Sequence, residues 1–234
     1  MKKLLLFDID GTLIRSNGAG RLTLAYALEK RFGTAGPLEH YNMSGKTDPR
    51  IITDLLTAVG IAPKEIQKSL PAIYELMAEH AQDIFAQRGI TACVGVPELL
   101  AVLNARDDVL LGLLTGNAQL TAPLKLAAAS IDPLQFKVGA YGSDALDRNE
   151  LPAIGMARAN QLTGELFDGN NTVIIGDTPA DILCARAGKA TAVAVASGWH
   201  AAATLAEYRP DFLFENFGDT SQVIDVLLPA PERP

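Results

Sequence analysis

Residues 1–16 read MKKLLLFDIDGTLIRS, an apolar run of Leu4, Leu5, Leu6 and Phe7 that ends in two aspartates, Asp8 and Asp10. A short continuous apolar run closed by a turn signal predicts a strand buried on both faces. Gly11 and Thr12 supply the turn. Side chains two apart in a strand point the same way, so the pair presents two carboxylates on one side. Like charges this close raise each other's pKa unless a cation lies between them. The stretch therefore implies either a bound positive group or a carboxylate that works as an acid.

Strand-like runs recur at 3–8, 109–115, 136–141, 172–176, 191–196 and 211–214. Helical patterns lie between the later ones, over 97–105, 119–129 and 152–162. This alternation predicts an α/β fold, a parallel sheet with helices on both faces. From about Ser16 to about Gly89 the alternation stops and only helical signals remain. Leu24, Leu28 and Phe32 share one helical face; Ile51, Leu55 and Val59 share another. Asp48-Pro49 reads as an N-cap and first-turn proline, and Pro71 as the start of a helix carrying Ile73, Met77 and Ile84. The domain expectation is an α/β core over 1–15 and 90–234, with an inserted helical cap over 16–89. The tail PAPERP reads as a frayed terminus.

The chain has 234 residues, 48% of them hydrophobic and 20% charged, enough for a real core. A net charge of −7 and a pI near 5.0 argue against a nucleic-acid partner, which needs a basic face. A local positive pocket for a small anion remains compatible with that charge. The apolar run at the start dies at Asp8, short of the roughly 7–15 residues of a signal peptide core. No apolar stretch reaches the ~20 residues of a membrane span. Cys93 and Cys184 lie far apart without metal-type spacing and read as reduced, buried thiols. The expectation is a soluble cytoplasmic protein without a membrane partner.

Three further stretches end strand-like runs or lie between them. LLGLLTGN sets Thr115, Gly116 and Asn117 after one run; VIIGDTPAD sets Asp177 and Asp181 after another; SDALDRNELP between them carries Arg148. In a parallel sheet these ends emerge at the same edge as Asp8 and Asp10. Clustered carboxylates with room for water suit Mg²⁺, a hard octahedral cation. It would cancel their repulsion and let a carboxylate approach a phosphate dianion. Thr115 and the backbone amides after it suit phosphate oxygens, as does a planar guanidinium.

Asp8-Ile9-Asp10-Gly11-Thr12, the strand-terminal Thr115, a downstream cation and Gly176-Asp177-Thr178-Pro179-Ala180-Asp181 together resemble the four ordered motifs of the haloacid dehalogenase-like (HAD) superfamily. The resemblance covers the core to about residue 200, and the helical insert is similar to caps of the phosphoglycolate phosphatase and β-phosphoglucomutase branches. It implies a Rossmann-like core with a cap, and a Mg²⁺-dependent phosphatase acting on a small phosphorylated metabolite. Carried over by position, Asp8 would be the nucleophile that forms an aspartyl-phosphate. Asp10 would be the acid and base, its backbone carbonyl also binding metal. Asp177 would be a metal ligand, and Asp181 either a ligand or an anchor for the others. Thr115, with Gly116 and Asn117, would bind the phosphoryl group. The third motif usually carries lysine; here Arg148 is the candidate, with Lys125 as its rival. Residues 44–50, SGKTDPR, resemble a substrate-specificity loop, which makes Gly45, Lys46 and Asp48 candidate cap contacts.

The alternatives are concrete. Asp10-Gly11 alone is an ordinary turn signal, and Asp181 alone is a favourable helix N-terminal acid. A phosphomutase of the β-phosphoglucomutase type shares the core chemistry. A non-catalytic binding protein would be expected to lose Asp8, Asp10 or Asp177, and all three are present. His40, His80 and His200 have no ligand spacing, and Trp199-His200 reads as a loop. Oligomeric state has no signature in the sequence.

Overall fold

The computed structural model describes residues 2–228. The PAPERP tail lies outside them. In chain order the elements are β1 (Lys3–Phe7), β2 (Ile14–Arg15), α1 (Ala19–Phe32), α2 (Asp48–Ala58), α3 (Pro63–Glu79), α4 (Ala81–Arg88), β3 (Thr91–Ala92), α5 (Val96–Asn104) and β4 (Val109–Thr115). They continue as α6 (Ala122–Ala128), β5 (Val138–Tyr141), α7 (Leu151–Thr163), β6 (Thr172–Gly176), α8 (Pro179–Ala187), β7 (Thr191–Val195), α9 (Ala202–Glu207), β8 (Phe212–Phe214) and α10 (Thr220–Leu227).

Six strands form one sheet in the order β5-β4-β1-β6-β7-β8, and every neighbouring pair is parallel. The apolar run that opens the chain is the central strand. It pairs with β4 on one side and β6 on the other, so the strand order reverses across it. Such a switch point opens a crevice at the carboxyl edge of the sheet. Alternation along β1 then divides the core. Leu5 and Phe7 face a cluster with Leu99 of α5, Leu126 of α6 and Val223 of α10. Leu4 and Leu6 face Leu151 of α7, Ile182 of α8 and Leu205 of α9. These four β1 side chains are fully buried, each contributing about 1.5–3 kcal/mol of hydrophobic transfer.

Helices α1, α2 and α3 enclose a third apolar cluster built on Leu24, Leu28, Ile52, Leu55, Ile73 and Met77, which also receives Ala118 from the loop after β4. The antiparallel pair β2–β3 ties the two ends of this helical block together. No helix of the described residues is long and apolar enough to cross a membrane.

Several local expectations need correction. Pro71 lies inside α3, which begins at Pro63, where a first-turn proline leaves no intrahelical donor missing. Ile84 belongs to α4, a separate helix. Val59 is 45% exposed because α2 ends at Ala58. Asp48 is the first residue of α2 rather than its cap, and its carboxylate accepts from the Ala118 N–H at 2.7 Å instead of from its own helix. Strands 136–141 and 211–214 start later than expected, at Val138 and Phe212.

Candidate active site

The carboxyl ends of β1, β4 and β6 bring Asp8 and Asp10, Thr115 to Asn117, and Asp177 together in one cavity of about 530 Å³. Arg148 joins them from a short 3-10 turn ahead of α7. Gly45, Lys46 and Asp48 enter from the helical block. Asp181 is the exception: it lies behind the wall, buried at the start of α8.

Arg148 is the hub of the Asp8 side. Its Nη2 donates to Asp8 Oδ1 at 3.1 Å and to Asp181 Oδ1 at 2.5 Å, while its Nε has no protein partner. The other Asp181 oxygen accepts from the Thr178 N–H at 3.0 Å and the Thr178 hydroxyl at 2.7 Å, a reciprocal cap of α8. Both Asp181 oxygens are thus engaged. Asp177 is buried with one weak partner, the Thr12 hydroxyl at 3.4 Å. One carboxylate oxygen from each of Asp8, Asp177 and Asp181 lies within 4.8 Å of the other two.

The electrostatics follow from that crowding. Burial pushes Asp8 up to about 7; Arg148 opposes the shift, and Asp181 and Asp10 add to it. Burial, then the charges of Asp8, Asp181 and Asp10, hold Asp177 well above the usual carboxylate range against Arg148. Three carboxylates crowd around one guanidinium, which pairs with only two of them, Asp8 and Asp181. A bound divalent cation fits this deficit and the oxygen-only donor set.

The Asp10 side is built differently. Lys125 Nζ donates to Asp10 Oδ2 at 2.7 Å and to Asn117 Oδ1 at 2.6 Å. Asn117 Nδ2 donates to the same Asp10 oxygen at 2.8 Å and to Thr115 Oγ1 at 2.8 Å. Burial raises the Asp10 pKa, but the Lys125 charge and the Lys125 and Asn117 hydrogen bonds outweigh it and leave it lowered. The structure thus places both rival cations, Arg148 on Asp8 and Lys125 on Asp10.

The specificity-loop candidates sit on the phosphate-loop candidates. The Asp48 N–H donates to Gly116 O at 2.7 Å, and a Cβ on Gly116 would come within 2.1 Å of Lys46 O. Gly45 packs on Thr178 and Ala180. The Lys46 ammonium lies 2.8 Å from the Tyr41 hydroxyl and 4.0 Å from its ring. Burial pushes Asp48 up to about 6, partly offset by Lys125 and the Ala118 N–H.

Sequence reasoning read the segment after β7 as a loop but gave it no place in the site. The Ser197 hydroxyl donates to Gly11 O at 2.7 Å, and a Cβ on Gly198 would overlap Asp177. Trp199, 93% exposed, and His200 line the cavity mouth, with His200 Nε2 3.0 Å from Ser44 Oγ. The one available signal was position: this loop also follows a parallel strand. His80 joins α3 to α4 and packs against Tyr26 with the rings tilted by 50°, 3.9 Å between centroids.

An HAD-hydrolase-like family model matches residues 152–220. No curated protein matches the sequence significantly. Among solved structures, a predicted phosphatase from Clostridium acetobutylicum is 15% identical with a TM-score of 0.70, covering 96% of this chain and 98% of its own. CbbY from Rhodobacter sphaeroides, solved with phosphate, is 17% identical with a TM-score of 0.71, covering 94% and 96%. A predicted phosphoglycolate phosphatase from Haemophilus somnus is 19% identical with a TM-score of 0.64, covering 95% and 97%. The α/β fold is borne out by these structures, and the family-model match supports the resemblance over 152–220, a stretch that holds the fourth motif.

Proposed function

We propose that this HAD-like chain is a Mg²⁺-dependent phosphatase, hydrolysing a small-molecule phosphate monoester through an aspartyl-phosphate on Asp8. The observation that carries the reading is the under-neutralised trio of Asp8, Asp177 and Asp181 beside Arg148, at the carboxyl end of the central strand. Asp8 and Asp177 would hold the metal with their carboxylates, and Asp10 with its backbone carbonyl. Asp181 is better suited to anchoring Arg148, since both its oxygens are already engaged. When bound, Mg²⁺ supplies the positive charge that lets a carboxylate approach a phosphate dianion.

The residues divide the remaining work. An Asp8 oxygen attacks phosphorus while the bond to the leaving oxygen breaks, and that oxygen takes its proton from Asp10. Water then attacks the aspartyl-phosphate, gives a proton to Asp10, and releases phosphate and free Asp8. Thr115, the amides of Gly116 and Asn117, and Arg148 bind the phosphoryl oxygens. The helices of 16–89 act as a cap, with Gly45, Lys46 and Asp48 closing on the site; the cavity of about 530 Å³ suits a metabolite rather than a macromolecule. Free, buried Cys93 and Cys184 support a reducing, cytoplasmic setting.

The test is hydrolysis of p-nitrophenyl phosphate with Mg²⁺ and with EDTA, beside Asp8→Asn. The expected outcome is turnover that needs Mg²⁺ and disappears in the variant. Metal-independent turnover, or an active Asp8→Asn protein, would overturn the reading.

A further inference from the structure

Lys125 is a buried amine that the phosphoryl chemistry above leaves without a task. It is 4% exposed, and burying an ammonium is costly unless its donors find partners. Two short charge-assisted bonds satisfy it, to Asp10 Oδ2 at 2.7 Å and Asn117 Oδ1 at 2.6 Å. Asn117 closes the ring by donating to the same Asp10 oxygen. The first turns of α1 make room, since a Cβ on Gly20 would stand 3.1 Å from Nζ. Neither Asp8 nor Asp177 receives a hydrogen bond from Lys125 among the described residues; Arg148 holds that position on Asp8.

We infer that Lys125 is a positioning residue for Asp10, clamping one carboxylate oxygen so that proton exchange with the leaving group and with water occurs at the other. The ring of Lys125, Asp10 and Asn117 commits Oδ2 to two donors, and Oδ1 is left buried without a partner. A carboxyl proton therefore has one place to sit. In the first half-reaction it passes from Oδ1 to the leaving oxygen as that oxygen takes the electron pair of the broken P–O bond. In the second, Oδ1 takes a proton from the attacking water. Lys125 exchanges no proton in either. A carboxylate free to rotate would present either oxygen and lose part of the advantage of orientation.

The inference rests on the phosphatase reading, and leaving-group dependence separates the two. Substituted phenyl phosphates of graded phenol acidity would be compared by kcat/KM, which reports the step that expels the phenol. p-Nitrophenolate departs with little help from an acid; phenolate needs a proton. Lys125→Met should cost phenyl phosphate about tenfold more than p-nitrophenyl phosphate, within the range for general acid catalysis. Lys125→Arg should restore much of the difference. Gly20→Ala, which crowds the ammonium without removing it, should give a smaller loss with the same leaving-group trend. It carries the test if Lys125→Met fails to fold by circular dichroism. An equal loss on every ester, as a phosphate-binding or purely structural lysine would give, overturns the inference and leaves the phosphatase reading intact. No turnover of any ester by the wild type overturns both.

Discussion

The two halves of the cavity use the same materials in different proportion. On the Asp8 side, Arg148 pairs with Asp8 and Asp181, and Asp177 crowds against them without a salt bridge to it. On the acid–base side, Asp10 has Lys125 nearly to itself, with an asparagine amide in support. The carboxylate pKa values move apart accordingly: burial raises Asp8 and Asp177, whereas Lys125 overcomes burial at Asp10. A buried carboxylate cluster with too little positive charge is unstable as it stands, so it has affinity for a cation. A balanced pair has no such need and can be devoted to geometry. The difference teaches that charge deficit, rather than the number of acids, marks where a bound cation would be favoured.

The largest expected effect falls on Asp8, the proposed nucleophile. Asp8→Asn removes the attacking oxygen, and turnover of p-nitrophenyl phosphate should fall by about a thousandfold or more while the far-ultraviolet spectrum stays native. Retained turnover would break the division at its root.

Stability should then distinguish the two cations. Arg148→Met strips the trio of its counter-charge and leaves buried carboxylates unpaired, at a cost of about 3–5 kcal/mol in chemical denaturation. Saturating Mg²⁺ should recover part of that loss. Lys125→Met should cost less, because Asn117 still donates to Asp10 and that side chain is 32% exposed. Equal losses would mean that the two sides are not differently balanced.

The pH dependence has opposite sign on the two sides. In the metal-free folded chain Asp8, pushed up to about 7 by burial from an ordinary 3.8, keeps a proton that the unfolded chain has lost. The folded state then binds more protons, so this contribution to stability falls as pH rises from about 4 to about 7. Asp177, raised likewise, steepens the fall. Asp10 is lowered, so its contribution is present above 3.8 and lost as pH drops through its folded value. Melting temperature in EDTA, taken as wild type minus Asp8→Asn, should decline between pH 4 and pH 7 and flatten when Mg²⁺ is added. A rising difference would show that the trio is already compensated.

Asp177→Asn should sharpen the same point with a gain. Removing the charge of the least-partnered member of the trio relieves repulsion, so the metal-free protein should become about 1–2 kcal/mol more stable. The rise in melting temperature on adding Mg²⁺ should shrink at the same time. A destabilised Asp177→Asn protein with undiminished Mg²⁺ response would place the metal elsewhere.

Much of this contrast was legible before any fold was known, and the reason is local. Strand β1 is a continuous apolar run with a turn behind it, and β4 and β6 match their expected bounds because both faces of each are buried. Asp8, Asp10 and Asp177 follow from parallel strands having a common carboxyl edge. Less local features were not legible. Pro71 looks like a helix start, yet α3 tolerates it in its interior. Sequence spacing offers Lys125 and Arg148 as rivals because it cannot say which carboxylate each will meet. The roles of Ser197 and Gly198 depend on how closely the loop after β7 approaches Gly11 and Asp177, which no pattern within the loop encodes.

The smallest effect tests whether Asp181 belongs to the scaffold of the nucleophile side. Thr178 caps α8 and holds Asp181 Oδ2 by both its N–H and its hydroxyl. Thr178→Ala removes the hydroxyl and keeps the N–H, so it should cost about 1 kcal/mol, the usual worth of an N-cap. If Asp181 anchors Arg148, the loosened carboxylate should let the guanidinium shift. KM for p-nitrophenyl phosphate should then rise a few-fold, with Mg²⁺ affinity little changed. If Asp181 instead binds the metal directly, the ordering reverses: Mg²⁺ affinity should move and the phosphate KM at saturating metal should not. Titration of activity against free Mg²⁺ at fixed ester, followed by the converse, separates the two assignments.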